Sequence, residues 1–394
     1  MTGKERMYAA IRGDDVDRPP IWLREGFNIG GEPKGEPLQN LKGLERILDS
    51  DFFLGWKNAP LYRELFEYVD AVADTMVSWN IGDHINRFLV IPPGYIHREV
   101  KRVDEDTLIV NGRIETPRGE LTFKDKLIRG INTFWRIEYP VNSVEDLKAM
   151  AAIPFSVSPG ALEPYLQTYR QKLSALGERG ILQIGYPSPI VAISGTMSLD
   201  NFLAMSALEN DLFHELLQEI TDRLLIITDA LFGGRKLETI VNFGGAEQCT
   251  PPLMRPEAFD EFVVPYDGRI IARLKTHGIL VNMHCHGKVR RALECMKRMG
   301  VDSTDPVEPP RAGDVTYEEA REIAAGELTL AGNLEYDELE SATAGEIKAR
   351  VRDIARFGSR RLILAASAGP ISSVSPRLVK NYKTWIDTAM ECFN

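Results

Sequence analysis

Two histidines at a spacing of two, His284 and His286, end the apolar run Gly278-Ile279-Leu280-Val281-Asn282-Met283, which reads as a buried β-strand. Side chains alternate faces along a strand, so both imidazoles point one way and Cys285 points the other. Two imidazoles on one side of a strand end suit the binding of one metal ion, and Gly287 keeps the following turn uncrowded. The alternative at such a position is a pair of polar side chains satisfied by backbone carbonyls. Acidic residues at neighbouring strand ends favour the metal. Cys285, of opposite parity, is expected to pack as a small hydrophobe.

The elements that must position this pair follow from the texture of the chain. Residues 3–13 form an amphipathic helix ended by Gly13, and Asp17-Arg18-Pro19-Pro20 leads into the strand Ile21–Arg24. Residues 37–70 alternate helical pattern and loop, and Ala71–Val77 is a candidate second strand. Between 85 and 140 the pattern becomes β-rich, with Phe88–Pro93 and Thr107–Val110 strand-like. Asn111-Gly112 is a hairpin signal, and Pro117-Arg118-Gly119 a second turn. This segment reads as a small antiparallel insertion. From 142 onward strands and helices alternate. Strands are expected at 181–186, 239–243, up to His284, at 301–304, 328–331 and 361–365, with helices at 144–151, 161–177, 288–299, 316–325 and 344–357. Leu212, Leu216, Ile220 and Leu224 recur every fourth residue, which marks a helix with one buried face. Repeated strand–helix units with buried strands, and no GxGxxG or P-loop, predict an α/β fold of the (β/α)8 TIM-barrel type. The whole chain, 1–394, is expected to be a single domain with an N-terminal helical segment and 85–140 as the insertion.

In such a barrel every strand's C-terminal end faces one mouth, where the chemistry sits. The residues just past each run are Arg24 and Glu25, Tyr186 and Ser188, Glu247 and Gln248, His284 and His286, Asp305 and Glu308, Asn333, and Ser367. Glu247 follows Gly244-Gly245, whose freedom permits close ligand approach, and its carboxylate could ligate a metal or act as a base. Glu308 sits in a loop stiffened by Pro306, Pro309 and Pro310. Composition narrows the partners. Net charge is −10 with no dense Lys/Arg block, which argues against nucleic acid or an anionic membrane surface. No apolar stretch approaches a membrane span, and the polar start does not resemble a secretory signal. Four cysteines without CxxC spacing form no disulfide framework, so a cytoplasmic location is expected.

Several segments, in order, resemble the uroporphyrinogen decarboxylase superfamily, which includes cobamide-dependent methyltransferases and O-demethylase methyltransferase components. They are Lys4–Gly13 with Val16-Asp17-Arg18-Pro19-Pro20, Pro252–Tyr266, the strand to His284-Cys285-His286-Gly287, Gly332-Asn333-Leu334, and Arg361–Ser367. Porphyrinogen decarboxylases carry two arginines after the first strand and a histidine after the last. Here only Arg24 corresponds to the first arginine, and Leu364-Ala365-Ala366-Ser367-Ala368-Gly369 lacks the histidine. Thiol-directed cobamide methyltransferases have His-x-Cys-Gly at the HCHG position and a cysteine after the last strand. In this chain His286 replaces the first sulfur and Ala368 lies near the second. The resemblance therefore implies an N/O site of His284, His286 and Glu247 suited to zinc. It implies a methyltransferase moving a methyl group from an O-methyl or N-methyl small molecule to a corrinoid carried by a partner protein, because no Asp-x-His-x-x-Gly corrinoid motif is present. Glu308 or Tyr186 would handle a proton or orient substrate, while Arg24, Asn333, Gln248 and Ser367 would bind substrate. A homodimer is compatible with this reading. Two other functions are compatible with the fold: a decarboxylase-type lyase using Arg24 to hold a carboxylate, and a non-catalytic ligand-binding barrel.

Overall fold

The computed structural model describes residues 1–24, 52, 54–80, 91–157 and 160–393. Twelve strands occur among them: β1 (Ile21–Trp22), β2 (Thr75–Asn80), β3 (Ile96–Arg102), β4 (Thr107–Thr116), β5 (Gly119–Ile128), β6 (Phe134–Glu138), β7 (Gly180–Pro187), β8 (Thr239–Gly244), β9 (Leu280–His284), β10 (Ser303–Asp305), β11 (Thr329–Leu334) and β12 (Leu362–Ala366). Eight of them are parallel and neighbour one another in chain order, β2-β7-β8-β9-β10-β11-β12-β1. A parallel bridge between Trp22 and Asp74 joins the two ends, so the sheet closes as the expected (β/α)8 barrel. The closure is electrostatic as well. Buried Asp74 accepts from Arg6 and Arg18 at 2.6 Å each and from the Ile21 N–H at 3.0 Å.

The N-terminal helix, Gly3–Arg12, starts at a Thr2–Glu5 capping box and stops at Gly13 in the left-handed region. Its Met7, Ala10 and Ile11 pack with Trp22, Met76, Ile181, Ile240, Ala331 and Ile363, stoppering the end of the barrel where the strands begin. One layer further along the axis the interior turns polar. Gln183 donates to Ser78, Asn282 to Asn242, and Ser303 to Asn282, each at 2.7 Å. A packed apolar floor under a hydrogen-bonded layer makes the barrel a solid support, not a pore. On the outside, the helix Asn210–Phe232 buries Leu216, Ile220 and Leu224 against the sheet, as its spacing predicts.

Strands β3–β6 form the separate antiparallel sheet expected between 85 and 140. Its inner face (Leu108, Val110, Ile114, Leu121, Phe123, Leu127) belongs to the same hydrophobic cluster as the barrel's outer layer. The expected turn at Asn111-Gly112 is not there: both residues lie within β4, and the turn falls at Pro117-Arg118. The reason is packing. Gly112 stands opposite Phe123, and a Cβ on Gly112 would lie 2.1 Å from that ring. The glycine therefore makes room for an aromatic side chain across the ladder. The second strand begins at Thr75, after a helix that extends through Val72, so the Ala71–Val77 expectation is several residues early. Residues 37–51, Phe88–Val90 and Glu25 lie outside the described residues.

Candidate metal centre

Parallel registry brings the polar strand ends together. His284 ends β9 and stands beside Asp305, the last residue of β10. Its Nδ1 is 2.9 Å from Asp305 Oδ2. A carboxylate can only accept, so Nδ1 carries a proton toward Asp305 and Nε2 is the ring nitrogen left to face a metal. His286 repeats the arrangement one loop further on: Nδ1 is 2.7 Å from Glu308 Oε1. The other Glu308 oxygen accepts the Gly287 N–H at 2.5 Å, which needs the left-handed backbone, φ +84°, that Gly287 supplies. The two rings lie edge to face with centroids 4.6 Å apart. Glu247, in the turn after β8, completes the group. Its Oε1 is 3.8 Å from His284 Nε2, and donor atoms of Glu247, His284 and His286 all fall within 4.8 Å of one another. This donor set, with each imidazole oriented from behind by a carboxylate, fits the requirements of a zinc ion.

Electrostatics hold the two carboxylates ionised. Burial works against the charge of Asp305, but Arg24, His284 and Asn282 outweigh it and hold the carboxyl well below the usual range. Glu308 is lowered likewise, burial being overcome by His286 and the Gly287 N–H. For His284, burial opposes the charged ring, yet Asp305 raises its pKa above the ordinary value. Arg24 is buried, lies over Trp22 and forms an ion pair with Asp305. Its Nη2 also lies 3.3 Å from His284 Nδ1; with both atoms donors, the shared Asp305 oxygen is what joins them.

A family model for uroporphyrinogen decarboxylase (URO-D) matches residues 100–390. The chain belongs to the URO-D family. A methyltransferase from Methanosarcina mazei has a similar structure, with a TM-score of 0.61 at 15% identity and coverage of 100% of both chains. At that identity the likeness is one of fold. A protein described as a vitamin-B12 independent methionine synthase from Listeria monocytogenes overlaps 61% of this chain and 71% of its own, with TM-score 0.39 at 14% identity. No protein of curated function matches the sequence.

Within this URO-D barrel the remaining sequence candidates separate. Tyr186 is not at the mouth. It is fully buried, packs on Phe243 and accepts from Thr228 of the outer helix at 3.3 Å. Its parity on β7 is opposite to that of inward-facing Gln183, and burial pushes its phenol pKa upward, so it cannot exchange protons with a ligand there. Asn333 is also committed internally, donating to the Val307 carbonyl at 2.9 Å and accepting from Arg350 at 3.1 Å. Ser367 is at the mouth, but its hydroxyl donates to Glu335. Gln248 lies half-buried beside Glu247, and its Oε1 has no hydrogen-bond partner among the described residues. Glu308, expected to act on substrate, has both oxygens engaged by His286 and Gly287, the geometry of an orienting group. Asn282 and Glu335 were missed by sequence reasoning. Strand parity with His284 was available for Asn282, whereas Glu335 sits one residue beyond β11 and carries no motif. A cleft of about 720 Å³ lined by Tyr8, Arg12, Glu238 and Leu280 opens at the opposite, stoppered end of the barrel, away from these groups.

Proposed function

We propose that this URO-D family member is a zinc-dependent methyltransferase that moves a methyl group from an O-methyl or N-methyl small molecule to a corrinoid carried by a partner protein. One observation carries the reading: two strand-end imidazoles, each with Nδ1 bound to its own buried carboxylate, converge with Glu247. His284, His286 and Glu247 would hold the metal. Zinc bound there would act as a Lewis acid toward the donor's oxygen or nitrogen, making it a better leaving group. The chain's own groups do the positioning. Asp305 and Glu308 fix the two rings in one tautomer, and Arg24 and Asn282 fix Asp305. The hydrogen-bonded Asn242–Asn282–Ser303 layer beneath keeps β8, β9 and β10 in register under the site. The fold shared with the Methanosarcina methyltransferase supports the same class of reaction. Against a decarboxylase-type lyase stands Arg24: the residue that would receive a substrate carboxylate is already paired with Asp305.

The test is metal content followed by turnover. The purified chain should hold about one zinc per subunit, and the double variant His284→Ala, His286→Ala should hold none while keeping its secondary structure. The zinc-loaded chain, given a reduced corrinoid protein and a panel of methoxyaromatics and methylamines, should methylate the corrinoid, followed by absorbance, only when a donor is added. Carbon dioxide release from a carboxylate substrate with no corrinoid methylation would overturn the proposal in favour of the lyase.

A further inference from the structure

At the mouth, past the end of β11, Glu335 is placed as an acid. Ser367, just past β12, accepts the Tyr336 N–H at 3.0 Å, so the proton of its hydroxyl is directed at Glu335 Oε2, 2.9 Å away. The carboxyl is thereby held through one oxygen, and it also caps the helix Tyr336–Ser341, where its side chain faces the Glu338 N–H. The other, Oε1, is buried and has no hydrogen-bond partner among the described residues. An ionised carboxylate left this way would be costly, whereas a protonated one retains an O–H to give. The charges around it agree. Glu308 faces it from the loop after β10, Asp337 and Glu338 stand on its own helix, and Glu338 is partly offset by Arg350 at 3.8 Å. Burial first, then Glu308, push the Glu335 carboxyl up to about 7. Glu308 also holds His286, so the same carboxylate that orients one proposed metal ligand favours the protonated form of Glu335.

We propose that Glu335 is the proton donor to the departing oxygen of an ether-type methyl donor, with Ser367 as its positioning residue. This rests on the methyltransferase reading above and narrows its substrate class. A quaternary methylammonium has no lone pair to accept the proton; an aryl or alkyl methyl ether does. In the step, the methyl–oxygen bond breaks with its electron pair going to oxygen, and the oxygen takes the proton from Glu335 and leaves as an alcohol or phenol. The methyl carbon bonds to a two-electron nucleophile, here the reduced corrinoid, whose cobalt supplies the pair and is formally oxidised by two electrons. Glu335, left as carboxylate, is reprotonated from water.

Two measurements on the full chain test this, the spectra without metal and the kinetics with zinc bound. Infrared difference spectra of wild type against Glu335→Gln should show a protonated-carboxyl carbonyl band at neutral pH that fades as pH rises above about 7 and is missing in the variant. Absence of that band in the wild type overturns the assignment. With free reduced cobalamin as acceptor, Glu335→Gln should slow methyl transfer from 2-methoxyphenol by about a hundredfold or more but leave 4-nitroanisole, whose leaving group needs little proton, within about twofold of wild type by the same proton-transfer argument. The wild-type rate with 2-methoxyphenol should fall as pH rises through the Glu335 titration, and the variant should lack that limb. Ser367→Ala should move the limb as well as the rate. Equal slowing of both ethers with unchanged pH dependence would make Glu335 structural and sink the proposal. No transfer from either ether by the wild type would defeat the methyltransferase reading itself, and the acid role with it.

Discussion

Asp305 and Glu308 show how little of a residue's role lies in its own side chain. Each is a buried carboxylate whose charge is held by a histidine and one or two further donors. Changing them acts at a distance on whatever the histidines bind. Glu308→Gln should lower zinc affinity by about 10- to 100-fold, the usual cost of losing a carboxylate behind a ligating imidazole, with little change in unfolding free energy. Asp305→Ala should do more. It removes the one buried carboxylate that the Arg24 guanidinium, 4% exposed at its side chain, shares with His284 and Asn282, a loss of about 3–5 kcal/mol of stability. Competitive metal titration and urea unfolding of both variants separate the two effects. Equal destabilisation by both would show that the Arg24 pair is not special.

At the scale of elements, the β-insertion is where local signals mislead. Asn-Gly is a strong turn signal because both residues tolerate positive φ, yet in β4 the glycine is present for what it lacks. The Phe123 ring occupies the volume that a side chain at 112 would take. Gly112→Ala should therefore destabilise the chain by about 1–3 kcal/mol through overpacking. Phe123→Leu in the same background should recover part of that loss, because it vacates the contested space. A double-mutant cycle in urea reads the coupling directly. Additive effects would mean that the ring and the new methyl never meet.

The molecule as a whole carries a pH dependence away from the mouth. Asp267, on the helix Val264–Thr276, is fully buried, with Ser188 donating to one oxygen at 2.9 Å. Burial pushes its carboxyl up to about 8, only partly opposed by Ser188. A group raised on folding contributes stability that is complete below its unfolded value, near 3.8, and lost as pH rises toward about 8. Over that window the unfolded chain releases a proton that the folded chain retains. Thermal unfolding followed from pH 4 to 9 should show this decline, and Asp267→Asn should flatten it by removing the titration. A variant whose stability still falls as steeply would assign the dependence to other groups.

Much was legible in one dimension because it depends on periodicity. Alternation of buried strands with amphipathic helices specifies the barrel, since each strand hidden on both faces needs a helix to cover it. Parity along β9 put His284 and His286 on one side and Cys285 on the other, where the cysteine is indeed fully buried. Chain order then brings strand ends to a common mouth, which is why Glu247, Asp305 and Glu308 could be named beside the histidines. Tertiary structure decided what parity and order do not encode: which polar groups spend their hydrogen bonds inside the protein. Tyr186 stands one position past an inward residue and so faces the helix layer. Asn333 and Ser367 sit at strand ends but are consumed by Arg350, Val307 and Glu335. Arg24 answers Asp305, a partner 281 positions away. A sequence specifies these groups' chemistry, but their free valences are set by neighbours that only folding brings within hydrogen-bonding distance.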